Sequence, residues 1–162
     1  MLSISLFFIS SVPEQIKRNK SLFKKAISLV LNKHRHSNIE VNLIFTNSPK
    51  IKKINKCFLN KNSVTDVIAF NYHPEKNLRR LRRHKLCGAS VLDPKPFGDI
   101  YVCIDRAKKQ AKSYNHSLLK ELLILTVHGT LHLTGMDDKT HPQRKKMESG
   151  VHKILSKLPR IH

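Results

Sequence analysis

Residues 117–138, SLLKELLILTVHGTLHLTGMDD, are the segment that most restricts what this chain can fold into. A helix drawn through them is apolar almost all round, so it must be buried rather than laid on a surface. Yet it carries His128 and His132, four residues apart. That spacing stacks both imidazoles on one face, where two ring nitrogens can converge on a metal about 2 Å away. Gly135 is a natural stop, because a left-handed turn there reverses the chain and brings Asp138 back toward the two histidines.

The full string is H-x-x-x-H-x-x-G-x-x-D, which shares its ligand spacing with the metzincin zinc pattern except after the first histidine. There Gly129 stands where a zinc protease carries its glutamate base. The structural alternative, two core histidines bonded to backbone carbonyls, buries two polar rings and tolerates a mid-helix glycine costing about 1 kcal/mol against alanine, with no compensating gain. Two imidazoles and a carboxylate, with a fourth position left to water, suit one Zn²⁺ per chain ahead of Ni²⁺, Co²⁺ or Mn²⁺. Three protein ligands and a water describe a catalytic site, in which His128, His132 and Asp138 act through the ion and its water. A peptide bond also needs a proton for its amine leaving group, which Gly129 cannot supply. A phosphodiester held by basic residues is the better substrate, and a small metalloprotease is disfavoured.

Charge points the same way. Lys and Arg number 31 against 11 Asp and Glu in 162 residues, a formal net charge of +20, which calls for a polyanionic partner. The apolar opening MLSISLFFIS has no basic flank and about half the length of a membrane span, so no membrane partner is expected. Leu2, Ile4, Leu6 and Phe8 share one parity and predict a first strand instead. Three cysteines, Cys57, Cys87 and Cys103, are an odd set without C-x-x-C spacing, which indicates neither a disulfide framework nor a zinc ribbon and suits a cytoplasmic setting.

The remaining pattern predicts a first helix from a Ser11/Glu14 capping box to about Lys33, a strand through Ile39–Phe45, and a short helix opened by Ser48-Pro49. Residues 64–70 and 98–104 are apolar on both parities and predict strands in the middle of a sheet. Between them, residues 71–97 form one long excursion with Pro74, Gly88, Pro94 and Pro96, and KNLRRLRRHK places six Lys or Arg in ten positions. Asp105, Ser117 and a Thr140/Gln143 capping box open three late helices. The order β-α-β-α-β-β-α-α-α is an α+β layout in a single domain spanning 1–162.

These residues resemble the YbeY family of bacterial rRNA maturation factors. Its H-G-x-L-H-L-x-G-x-D-H pattern matches HGTLHLTGMDD, its T-D-V-L-S-F segment matches residues 65–70, and its G-D-I strand matches residues 98–100. The resemblance implies a zincin-like α+β domain with a mixed four-stranded sheet, a buried central metal-binding helix and flanking helices. It implies a zinc-dependent, single-strand-directed endoribonuclease of rRNA maturation, acting at the 16S rRNA 3′ end and in ribosome quality control, with RNA and the small ribosomal subunit as partners. Two positions depart from the family. Its third histidine is Asp138 here, an accepted zinc ligand, with His141 the substitute if Asp138 points away. The family's arginine before T-D-V is Leu59 here, and Lys56 and Lys61 are the nearest cations to serve a scissile phosphate. Lys56, Lys61, Arg79, Arg80, Arg82 and Arg83 are the candidate RNA-binding residues. The alternative is a catalytically weakened ribosome-assembly RNA-binding factor with a structural zinc. Oligomeric state is not legible.

Overall fold

The computed structural model of the protein describes residues 2–32, 39–72 and 97–159. Its elements run β1 (Ser3–Phe8), α1 (Glu14–Arg18), α2 (Lys20–Leu31), β2 (Glu40–Thr46), α3 (Ser48–Leu59), β3 (Val67–Asn71), β4 (Gly98–Cys103), α4 (Ile104–Ser113), α5 (Leu118–Leu133) and α6 (His141–Leu155). The four strands form one mixed sheet in the order β1-β2-β4-β3. β1 and β4 flank β2 in parallel, while β3 pairs antiparallel with β4. The α+β layout and the mixed four-stranded sheet agree with the expectation.

Strand parity divides the core into two layers, because successive side chains point to opposite faces. Val41, Leu43, Phe45, Ile100 and Val102 face the larger cluster, shared with α2, α5 and α6. Ile44, Ile68, Phe70, Tyr101 and Cys103 face a smaller cluster covered by Ile51 and Phe58 of α3. On β1, the even residues Leu2, Ile4, Leu6 and Phe8 pack on the core, and Phe7 on the other parity is 41% exposed. β4 is buried at every position, Asp99 included, as expected of a strand whose apolar residues fall on both parities. β3, however, is an edge strand with an alternating burial pattern. Its two-sided apolar run reflects cover by α3 on one face and α5 on the other, not a central place in the sheet.

α5 is the hub of the molecule and packs against α2, α4, α6, β3 and β4. Leu122, Leu123 and Leu133 are fully buried, each contributing about 1.5–3 kcal/mol from removal of its side chain from water. Thr126 and Thr130 are buried too and satisfy their hydroxyls by donating to the carbonyls of Leu122 and Thr126, each at 2.7 Å. Gly129 explains how a helix comes so near a sheet: a Cβ there would lie 2.6 Å from Ile100 Cγ2 and 3.1 Å from Val67 Cγ2.

Local starts and stops differ from the sequence reading in four places. The expected first helix is two, broken at Asn19, whose side-chain amide turns back to donate to the Gln15 carbonyl. No capping box forms at Ser11; Pro13, with its fixed φ of −52°, ends the extended entry and leaves α1 without a side-chain cap. Asn47, not Ser48, caps α3 by accepting from Lys50 N, and Pro49 occupies the first turn as expected. Asp105 lies inside α4, and its carboxylate accepts from Ser48 N at 2.8 Å, tying the starts of α3 and α4 together. The caps at Ser117 and Thr140 form as expected, the latter as a full capping box. Cys103 is a buried free thiol, and Cys57 packs against the smaller core cluster; Cys87 lies outside the described residues.

Candidate metal centre

α5 places His128 and His132 one turn apart, and the chain beyond it places the third group. The helix closes with Gly135 at φ +91°, Gly135 N donating to His132 O at 3.0 Å and Met136 N donating to Leu131 O at 3.2 Å. This is the Schellman arrangement that a glycine just past a helix end permits. The same turn presents the Met136 carbonyl to His132 Nδ1 at 2.9 Å. A carbonyl only accepts, so Nδ1 carries the proton and Nε2 keeps its lone pair for a ligand.

His128 Nε2 and His132 Nε2 lie 3.0 Å apart, and Asp138 Oδ2 lies 3.4 Å from the first and 3.6 Å from the second. Ligand atoms held tetrahedrally on zinc at its usual bond lengths are separated by roughly 3.3 Å. The triangle therefore fits the ion in size as well as in donor type. Burial, and then the neighbouring His132, hold the His128 imidazole below its ordinary value, against the opposing pull of Asp138 and Asp66. Burial thus favours the neutral form that a metal ligand takes. Among the described residues this is the one His/Cys/Asp/Glu group whose donor atoms converge, within 4.8 Å of one another. The three side chains are 27%, 28% and 37% exposed, so the centre is open to solvent on one side. His141 lies at the exposed start of α6 and does not join the group.

The loop that carries Asp138 is braced by residues the sequence reading did not single out. Arg144, on the first turns of α6, donates to the carbonyls of Asp138 and Lys139 at 3.3 and 2.9 Å. Asp137 accepts from Asp138 N and pairs with Lys139 at 2.8 Å. These contacts hold the returning segment in place before any ion is bound. An Arg four residues into a capped helix is a common solvated residue, so nothing in the sequence marked Arg144.

A second polar constellation lies along the same helix. Asp66, in the segment before β3, accepts from Val67 N at 2.9 Å, Thr65 Oγ1 at 3.1 Å and Gln110 Nε2 at 2.8 Å. Burial pushes its carboxyl up, but these donors, Gln110 first, outweigh burial and leave it below the usual range. Glu121, 3% exposed, pairs with His116 at 3.0 Å. Asp99, the acid of the G-D-I strand, instead accepts from Asn42 and Tyr72 on the α3 side of the sheet.

Of the candidate RNA-binding residues, Lys56 is exposed in the last turn of α3, and Lys61 is exposed just beyond Asn60, a left-handed helix cap at φ 57°. Leu59 packs against the smaller core cluster. Arg79, Arg80, Arg82 and Arg83, with nearly all of the 71–97 excursion, lie outside the described residues.

Comparison with known proteins adds the lineage. The family model described as Endoribonuclease YbeY matches residues 9–159. The chain is 42% identical over 156 residues to the endoribonuclease YbeY of Elusimicrobium minutum, covering 96% of this chain and 99% of that one. It is 34% identical to that of a Geobacillus species, covering 95% and 96%, and 38% identical over 118 residues to that of Bacillus licheniformis, covering 73% and 71%. A Thermotoga maritima protein solved in solution shares the fold, with a TM-score of 0.55 at 23% identity over 96% of this chain and 90% of that one. With the HGTLHLTGMDD helix and turn at its centre, the chain belongs to the endoribonuclease YbeY family.

Proposed function

We propose that residues 1–162 work as one unit, a zinc-dependent endoribonuclease that cuts single-stranded RNA, with ribosomal RNA of the small subunit, at the 16S 3′ end, as its substrate. The observation that carries this reading is the triangle of His128, His132 and Asp138 donors, spaced for a tetrahedral ion and open on one side, in a chain of net charge +20. Zinc at this position would polarise water and a phosphate oxygen for hydrolysis.

Each residue then has a task. His128 and His132 offer their Nε2 atoms, and the Met136 carbonyl, accepting from Nδ1, orients the His132 ring. Asp138 offers an anionic oxygen, which holds a cation more strongly than a third imidazole does. Exposed Lys56 and Lys61 are placed to neutralise backbone phosphates, and the four arginines of the 76–85 run are assigned the same task from their charge alone. No helix of the described residues is long and apolar enough to cross a membrane, and the cytoplasm, where ribosomes are made, is the compartment we assign.

Single-turnover cleavage of an end-labelled single-stranded RNA tests the reading. Wild-type protein should cut with zinc and not after chelation, and His128→Ala should not cut at all. Leu59→Arg should raise the rate with little change in RNA affinity, because a guanidinium at the phosphate acts mainly in the transition state. Zinc and RNA binding without any cleavage, in wild type and Leu59→Arg alike, would sink the nuclease assignment.

A further inference from the structure

Asp66 is held in an unusual way for a residue next to an edge strand. Both of its carboxylate oxygens are engaged, Oδ1 by Val67 N and Thr65 Oγ1, Oδ2 by Gln110 Nε2. Its backbone is fixed as well, since its carbonyl accepts from Cys103 N at 2.7 Å. An acid so fully occupied is a poor proton acceptor, so a direct acid–base task is excluded for it. Gln110 adds an independent sign. Its Oε1 is buried without a hydrogen-bond partner, a loss that a side-chain amide avoids wherever its surroundings allow. The amide is committed to donating to Asp66, and the fold tolerates the orphaned oxygen to keep an anion there.

The position of that anion is set by its neighbours. Val67, the next residue, packs its Cγ2 within 3.1 Å of the Cβ site on Gly129, and Gly129 follows the ligand His128 on α5. Glu121, two turns before His128 on the same helical face, lies close enough for its carboxyl to feel the Asp66 charge. The metal centre thus has one carboxylate in the ligand triangle and a second, held by hydrogen bonds, outside the triangle on the segment that packs against α5 at Gly129.

We propose that Asp66 is a positioning residue of the metal centre: an anion locked by Thr65, Val67 and Gln110 that strengthens cation binding at His128, His132 and Asp138 without touching the ion. The inference rests on the metal-centre reading above. Its consequence is that removing the charge while keeping the shape weakens the centre, and that salt, which screens a partly exposed charge, narrows the difference. Asp66→Asn is the matched change, because Gln110 can turn its amide and present Oε1 to the new donor.

Zinc affinity of the full-length, metal-free chain, measured by competition with a chromophoric chelator at low and high potassium chloride, decides the matter. Asp66→Asn should bind zinc about tenfold more weakly than wild type, in the range typical of groups just outside a ligand set, and the gap should shrink at high salt. Gln110→Ala, which frees the carboxylate to rotate, should show a smaller loss in the same direction. A folded Asp66→Asn with wild-type affinity, or a loss identical at both salt concentrations, overturns the proposal and leaves Asp66 a structural role. Should Asp66→Asn not fold, unchanged affinity in Gln110→Ala overturns it instead. Wild-type protein that binds no zinc removes the metal centre itself, a result distinct from a metal centre indifferent to Asp66.

Discussion

Replacing Gly129 by alanine adds one methyl group where α5 meets the sheet. The new carbon would lie 2.6 Å from Ile100 Cγ2 and 3.1 Å from Val67 Cγ2, against the 3.5–4.0 Å or so of a relaxed carbon contact. Ile100 is fully buried on the central strand β4, and its Cγ2 branches directly from Cβ, so it has no flexible end to swing away. Overpacking of this kind costs about 1–3 kcal/mol, while alanine regains about 1 kcal/mol of helix preference over glycine. The net is a loss of about 1 kcal/mol, or a melting temperature lower by roughly 2–4 °C in a chain of this size. Gly150→Ala is the internal control. Its Cβ would meet the far end of Leu131 at 3.2 Å, which a small rotation relieves, so the helix preference prevails and this variant should melt slightly higher than wild type. Thermal unfolding followed by circular dichroism reads both. In a double-mutant cycle, Ile100→Ala should cost less in the Gly129→Ala background than alone, because it removes the clashing methyl. If Gly129→Ala stabilises the protein as Gly150→Ala does, the close approach of α5 to the sheet described here is wrong.

Phe45 is fully buried, stacked on Phe8 with ring centroids 5.4 Å apart and edge-on to Phe23 at 5.2 Å; Phe45→Ala should cost about 3–5 kcal/mol in urea unfolding. Asp105 is kept below the usual carboxylate range chiefly by the Ser48 backbone donor and then by the Ser48 side chain. A lowered folded value means stability that is present above the ordinary carboxylate pKa and lost as pH falls through the folded one. Asp105→Ala should therefore lower stability by about 1 kcal/mol at pH 7, and the gap from wild type should close in the acid limb of a stability-against-pH profile. Replacing Arg79, Arg80, Arg82 and Arg83 by Ser should flatten the log–log salt slope of single-stranded RNA binding by about 0.7 for each phosphate that is no longer neutralised; an unchanged slope would leave these arginines without an RNA role.

What the sequence made legible depends on how local each signal is. The ligand pair is a matter of one helical turn, and Asp138 needed only the left-handed turn at Gly135 to return, so spacing alone sufficed. The caps at Ser117 and Thr140 are equally local. The break at Asn19 was not legible, because residues 16–30 keep a helical apolar spacing straight through it. The edge position of β3 was hidden for another reason: a strand covered on both faces reads the same at an edge as in the middle. Gly129 was visible as a missing catalytic base, but its packing reason needed Ile100, 29 residues earlier on another element. Asp66 was visible only as the acid of the T-D-V segment. Its partner Gln110 is 44 residues away, and no periodicity connects the two. Arg144 braces the ligand loop through backbone carbonyls, which leave no trace in residue types.

The central claim is that His128, His132 and Asp138 hold a metal, and the most direct test is zinc content after dialysis against a mild chelator. Wild type and Asp138→His should each retain one zinc per chain, since an imidazole replaces the carboxylate as a ligand. His128→Ala and Asp138→Ala should lose it, and His141→Ala, at the exposed start of α6, should keep it. Retention by Asp138→Ala together with loss from His141→Ala would contradict the ligand set, and a wild-type chain that holds no zinc would contradict the centre altogether.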